Sequence, residues 1–213
     1  MNVIVTDYIK KYELLHRSNA AVFDGKFSFR TLKRKLFKIV AVFKRPVTIL
    51  DYGCGKGGAN EIFVHQHARK YIQCLYLYDP AHIPLSKRPS EGMKFDAVLS
   101  ADVVEHIPEN GLEDIFMDMI SFLSEDGVLV VRTTSHPALK RFPNGENLHC
   151  TLWEPEKWDK FIQSIWSGRY ILLVDFIQGM SISDFETIEE YVEAALSRDK
   201  EKYPVLLYDV AKL

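Results

Sequence analysis

Ile49-Leu50-Asp51-Tyr52-Gly53-Cys54-Gly55-Lys56-Gly57-Gly58 is the stretch that decides the fold. Val47–Asp51 is an apolar run of strand length, the kind that is buried on both faces of a parallel sheet. It stops at four glycines within six residues, and the chain from Gly58 to about Lys70 then reads as a helix. Glycines between a strand and a helix tolerate positive φ and let a ligand approach bare backbone amides at the helix N-terminus. The stretch therefore predicts a ligand site at the end of the first strand of an α/β sheet.

Outward from this turn the pattern alternates. Ile72–Tyr78, Phe95–Ser100 and Val128–Thr133 read as strands, with a helix over Leu112–Leu123 closed by a turn at Glu125-Asp126-Gly127. A helix begins near Pro155, with proline in its first turn. Tyr170–Ile177, Thr187–Ser197 and Tyr203–Val210 read as strand, helix and strand. Such alternation implies a parallel sheet covered by helices on both faces, with the two late strands forming an antiparallel edge. Upstream, Tyr8, Ile9, Tyr12 and Leu15 recur at helical spacing behind Thr6 as N-cap. A second helix runs from about Phe29 to Phe43, and Pro46 ends it. The expected organisation is one domain over 1–213, with a basic helical segment at 1–46 and the sheet core at 47–213.

The composition fits a folded globular chain: 213 residues, 47% hydrophobic and 26% charged, with a net charge of −2. That charge is uneven. Residues 1–46 carry eleven Lys and Arg against Asp7, Glu13 and Asp24. The excess suits either a solvated helix face or contact with an anionic partner. The cysteines Cys54, Cys74 and Cys150 form no CxxC pair, which argues against a disulfide framework or a zinc ribbon. No apolar run is long enough for a membrane span, and Met1–Lys11 lacks the order of a signal peptide. A cytoplasmic protein is expected.

Taken alone the glycines admit two readings. Gly53, Gly55 and Gly57 fit the GxGxG turn of enzymes that use S-adenosylmethionine (SAM), and Gly53, Gly55 and Gly58 fit the GxGxxG turn of dinucleotide binders. Asp51 separates them, because an anion at the strand end suits the ammonium group of SAM and repels a pyrophosphate. Asp79 ends the second strand, where a carboxylate accepts ribose hydroxyls in either class. The third element is Lys94-Phe95-Asp96-Ala97-Val98-Leu99-Ser100-Ala101-Asp102-Val103-Val104-Glu105-His106-Ile107-Pro108. It resembles the FDxVxxxDVxEHIP stretch of class I SAM-dependent methyltransferases. Three motifs thus stand in that family's order, and the resemblance covers about residues 47–135. The segments Ser86–Pro89 and Phe142–Cys150 also look like stretches of small stand-alone bacterial and phage methyltransferase domains.

The resemblance implies a Rossmann-like sheet of about six main strands ending in an antiparallel pair, with SAM as cofactor. Asp51, Gly53 and Gly55 would lie along the methionine half of SAM. Asp79 and the adjoining Pro80 would hold the ribose, and Ser100, Ala101 and Asp102 would line the pocket. Glu105-His106 would begin the next helix, with His106 either catalytic or packing. One departure stands out. Only fifteen residues with three prolines, Pro80–Lys94, separate Asp79 from the next strand, too few for the family's usual helix and strand. The third family strand is therefore expected to be shortened or absent, and Ala81–Leu85 would have to form the adenine wall.

The acceptor side falls on the loop after Val128–Thr133. His136, Asn147 and His149 offer polar groups, with Trp153 and Trp158 as neighbouring aromatics, a mixture suited to a small-molecule pocket. Asn147 is expected to orient the acceptor, and His149 to take its proton. His65 and His67 face different directions on a helix, and no metal site is expected. No Pro-Cys nucleophile and no Pro-Pro-aromatic signature is present, which disfavours DNA base methylation. The leading reading is transfer to oxygen or nitrogen of a small polar acceptor, sugar- or nucleotide-linked. The alternatives are an RNA methyltransferase gripping phosphates with Lys33, Arg34, Lys35 and Lys38, and a non-catalytic SAM-binding regulator. The first helix, with Tyr8, Tyr12 and His16 on one face, would either fold across the cofactor cleft as a lid or pack on the edge of the sheet.

Overall fold

Three apolar runs set side by side build the centre of the molecule. In the computed structural model, which describes residues 3–18, 43–60, 70–165, 170–173 and 206–208, β1 (Val47–Tyr52) lies between β2 (Ile72–Tyr78) and β3 (Phe95–Ala101). Both pairings are parallel, with Asp51 level with Leu77 on one side and Leu99 on the other. The carboxyl ends of three strands therefore meet at one edge, where open α/β sheets bind their ligands. β4 (Leu123–Arg132) continues the sheet beside β3 and β5 (Tyr170–Leu173) beside β4, both parallel. β6 (Leu206–Tyr208) runs antiparallel to β5. The order β2-β1-β3-β4-β5-β6 is that of a Rossmann-like α/β sheet.

Burial follows the sequence pattern. Val47, Ile49, Leu50, Ala97, Val98, Leu99, Leu129 and Val131 are sealed from solvent, as strands covered on both faces require. On α2 (Leu112–Ser121) the buried residues Leu112, Ile115, Phe116, Met119 and Ile120 recur at helical spacing. They pack against Trp158 and Ile162 of α3 (Pro155–Ile165). Trp153 and Trp158 belong to this cluster, with ring centroids 4.8 Å apart. The two tryptophans expected beside the acceptor are core residues, because α3 lays its apolar face onto α2.

Local geometry departs from the sequence reading at three points. Thr6 lies inside α1 (Val3–Ser18) rather than capping it. Glu105-His106 sits in a 3-10 turn, Val104–His106, and α2 begins only at Leu112. Glu125-Asp126-Gly127 is an irregular stretch within β4: Phe95 pairs with Leu123, but Ala97 pairs with Val128. Gly127 makes that excursion possible, since a Cβ there would stand 2.9 Å from the Ser124 nitrogen and 3.0 Å from the Phe95 oxygen.

Between Asp79 and Phe95 the chain forms one 3-10 turn, Ile83–Leu85, and no strand. Nothing pairs with the outer edge of β2 among the described residues. The expected helices at 29–43, 58–70 and 187–197 lie largely or wholly outside the described residues, as do Lys33, Arg34, Lys35 and Lys38. Among the described residues, no helix is long and apolar enough to cross a membrane.

Candidate active site

The glycine turn is shaped by its backbone. Gly53, Gly55 and Gly57 have φ of 78°, 59° and 76°, the left-handed region that disfavours a side chain. At Gly53 the constraint is also steric, because a Cβ would come within 2.4 Å of Val103 Cγ2. The Gly53 and Cys54 amides donate to the Tyr78 carbonyl at 2.8 and 3.2 Å, tying the turn to the end of β2.

Two buried carboxylates flank this turn. Asp79 accepts from the Gly55 amide at 2.7 Å through one oxygen and from the Ala81 amide at 2.8 Å through the other. Asp51 is 6% exposed, and burial, reinforced by the negative charge of Asp79, pushes its carboxyl up to about 7. Two acids held in a low-dielectric site favour a cation between or beside them. Each Asp79 oxygen uses one lone pair on a backbone amide and keeps another for a hydroxyl. Pro80 follows directly, and the Asp79 amide closes onto the Leu85 carbonyl at 3.0 Å, so residues 79–85 form a compact wall beside the turn. Within it Ala81 is buried and Ile83 is exposed.

At the end of β3, Ser100 is fully buried and Ala101 is level with Arg132 of β4. Asp102 has φ of 56°, an uncommon conformation for a non-glycine residue and one that concentrates at ligand sites. Its carboxylate is ion-paired with Arg132, and its amide donates to the Arg132 carbonyl at 2.9 Å.

Beyond Asp102 the chain delivers Glu105 and His106 to the loop that carries His149. Cys150 and Thr151 donate their amides to the Glu105 carbonyl at 2.8 and 3.0 Å, which stitches the two segments together. Glu105 is fully buried; burial and the neighbouring Asp102 push its carboxyl up to about 8. One Glu105 oxygen accepts from the Thr133 hydroxyl at 3.3 Å, and the other has no hydrogen-bond partner. The His106 and His149 rings meet edge to face with centroids 4.7 Å apart. Burial lowers His106 to about 4, opposed by the Leu148 carbonyl and reinforced by His149, so its imidazole is neutral.

Asn147 does not face an acceptor as expected. Its Oδ1 accepts from the amides of Ala138 and His149, both at 2.9 Å, and its Nδ2 donates to the Ala138 carbonyl at 3.0 Å. The amide is turned into the loop and braces His149. His136 contributes its carbonyl, which accepts from His149 Nδ1 at 2.6 Å.

The first helix covers this region. Tyr12 donates to the Leu148 carbonyl at 2.6 Å and lies 2.7 Å from His106 Nδ1. Its ring sits against Phe142, and Leu15 is buried with Phe142 and Leu148. Lys11 pairs with Glu146 at 2.8 Å. At the other end of α1, the His16 ring lies 5.1 Å from that of His82, three residues after Asp79. One face of α1 thus reaches from the His149 loop to the wall beside the glycine turn. The convergence of Glu105, His106, His149 and Tyr12 escaped the sequence reading, because these residues come from three segments up to 137 positions apart along the chain.

These features match a known grouping. A family model described as a methyltransferase domain matches residues 25–190, which include the glycine turn, both carboxylates and the His149 loop. A comparison with curated proteins finds no match. The chain belongs to the methyltransferase-domain family and is a methyltransferase.

Proposed function

We propose that the protein binds SAM at the glycine turn and transfers its methyl group to oxygen or nitrogen of a small polar acceptor, sugar- or nucleotide-linked. The observation that carries this reading is the pair of buried carboxylates, Asp51 and Asp79, on either side of Gly53–Gly55. The ammonium and sulfonium groups of SAM supply the positive charge that such a site favours, and its ribose supplies hydroxyls for Asp79. A dinucleotide pyrophosphate would meet repulsion at Asp51. Ser100–Asp102, at the end of β3, would line the pocket partly through backbone groups, and the exposed Ile83 offers adenine an apolar surface.

Methyl transfer from a sulfonium is an in-line displacement, so alignment and exclusion of water carry much of the rate. Alpha-helix 1 is suited to both tasks, because it lies over the acceptor side through Tyr12 and Leu15. A hydroxyl or amine acceptor also gives up a proton, and Glu105, His106 and His149 are the groups placed to manage it. Holding His149 Nδ1 on the His136 carbonyl makes Nε2 its basic nitrogen.

A methyl-transfer screen with labelled SAM across sugars, nucleotides, small phenols, amines and RNA tests the reading. Labelling of a small acceptor supports it, and labelling of RNA alone would contradict the substrate class. With the acceptor in hand, His149→Ala is expected to lower turnover about 100-fold or more while leaving SAM binding intact.

A further inference from the structure

Glu105, His106 and His149 do more than sit near one another. Each offers one ligand atom, two imidazole nitrogens and a carboxylate oxygen, and these atoms all lie within 4.8 Å of each other. We propose that the three residues form a binding site for a divalent first-row transition-metal ion, which holds the acceptor's hydroxyl beside the methyl donor. The second half of this statement rests on the SAM reading given above; the metal site itself does not.

The donor set is chemically specific. Two imidazoles and one carboxylate suit zinc, iron, cobalt or nickel, whereas magnesium and calcium prefer all-oxygen surroundings. Three protein ligands leave positions open for water or substrate, the hallmark of a catalytic rather than a structural metal site. Metal–ligand bonds of about 2.0–2.2 Å bring donor atoms to roughly 3–3.5 Å apart. Metal binding would therefore draw the donor atoms together from their present spacing of up to 4.8 Å.

The surroundings are those of a metal site. One Glu105 oxygen is buried without a hydrogen-bond partner in a residue with no exposed surface, an arrangement that a bound cation would satisfy. Both imidazoles are oriented through Nδ1 by backbone carbonyls: His149 on His136 at 2.6 Å and His106 on Leu148 at 3.0 Å. Metal-binding histidines are usually fixed in this way, with the tautomer set so that Nε2 carries the lone pair. Tyr12 and Asn147 are positioning residues. Tyr12 holds the Leu148 carbonyl and the His106 ring together, and Asn147 clamps the His149 amide. The absence of a CxxC or paired-helix histidine motif hid the site from the sequence, since its ligands are joined by the fold.

In the reaction, the metal acts as a Lewis acid that makes the acceptor's hydroxyl more acidic. With the His149 Nε2 lone pair on the metal, that imidazole is a ligand and no longer the base, and the proton passes to solvent water. An oxygen lone pair forms the new C–O bond as the C–S bond of SAM breaks, and its electron pair remains on sulfur. The products are the methyl ether, the thioether S-adenosylhomocysteine and a proton.

The test is titration of the metal-free full chain with Zn2+ and, in parallel, with Co2+, whose visible absorption reports nitrogen and oxygen ligation. One ion per chain is expected. His149→Ala and Glu105→Gln should each weaken binding about tenfold or more. Glu113→Gln, on the exposed face of α2 and outside the cluster, should bind like wild type. Circular dichroism identifies a variant that fails to fold, and His149→Ala, in a part-exposed loop, decides the matter if Glu105→Gln does so. Uptake well below one ion per chain, or unchanged affinity in folded His149→Ala, would overturn the site. S-adenosylhomocysteine is titrated separately into the metal-free protein. Failure there contradicts the SAM reading and leaves the metal result standing on its own.

Discussion

The Asp79 carboxylate takes a 2.7 Å hydrogen bond from the amide of Gly55, so the acid at the end of β2 and the glycine turn at the end of β1 form a single unit. The residue proposed to read the ribose thus also holds the turn proposed to receive the rest of the cofactor. Asp79→Ala is therefore expected to weaken SAM by about 1.5–3 kcal/mol, through lost charge-assisted hydrogen bonds and a loosened turn. Isothermal titration checks this, and unchanged affinity would remove Asp79 from the ribose site.

Asp51 gives the protein a pH signature. Burial and the charge of Asp79 raise its carboxyl from the ordinary 3.8 to about 7. Between those values the native state keeps a proton that the unfolded chain has lost, so this stability is complete below about pH 4 and declines as pH rises through 7. Cofactor binding runs the other way, since it uses the ionised form. SAM affinity should fall as pH drops below 7, by up to about tenfold per unit for one linked proton. Asp51→Asn should flatten the stability slope over that window, as measured by urea unfolding at pH 4, 5.5 and 7. A slope unchanged in the variant would assign it to other groups.

Asp96, in the same motif as Asp102, separates scaffold from site. It accepts from the Arg45 guanidinium through both oxygens, at 2.6 and 3.0 Å, and from the Thr48 amide at 2.8 Å, far from the glycine turn along β1. Asp96→Ala is expected to lower unfolding stability by about 1.5–3 kcal/mol, the scale for removing a hydrogen-bonded charged acceptor. SAM affinity of the folded protein should not change, and a selective loss of affinity would place Asp96 in the site.

How much could be read beforehand depends on the range of the signal. Val47–Tyr52, the glycine turn and the placement of Asp51 and Asp79 at the ends of β1 and β2 were legible because each is a local pattern that can be read without its neighbours. The short Pro80–Lys94 segment was legible for the same reason, since fifteen residues cannot hold a helix, a strand and their turns. Trp153 and Trp158 were misplaced because aromatic residues beside a polar loop look alike whether they face a cleft or another helix. Asn147 was given a ligand role that its loop had already filled with backbone contacts. Glu105 and His106 were read as a helix start, whereas the chain turns tightly there and sends them toward His149. That meeting depends on the amides of Cys150 and Thr151 docking on the Glu105 carbonyl, a long-range contact with no sequence signature.

Alpha-helix 1 should respond to the cofactor if it covers the cleft. Lys10, Lys11 and Arg17 offer trypsin sites along it, and its inner face is held by Tyr12, Leu15 and the Lys11–Glu146 pair. SAM should slow cleavage at these positions severalfold, because a bound ligand suppresses the local opening that a protease needs. Cleavage rates that SAM leaves unchanged would reduce the helix to a packing element.

If the buried acids and the glycine turn select SAM as proposed, calorimetric titration of the purified chain will show it. S-adenosylhomocysteine and SAM should bind at one site per chain, with SAM favoured by pH above 7, and NAD should give no binding heat. Saturable NAD binding, or no binding of either SAM or S-adenosylhomocysteine, would contradict the account.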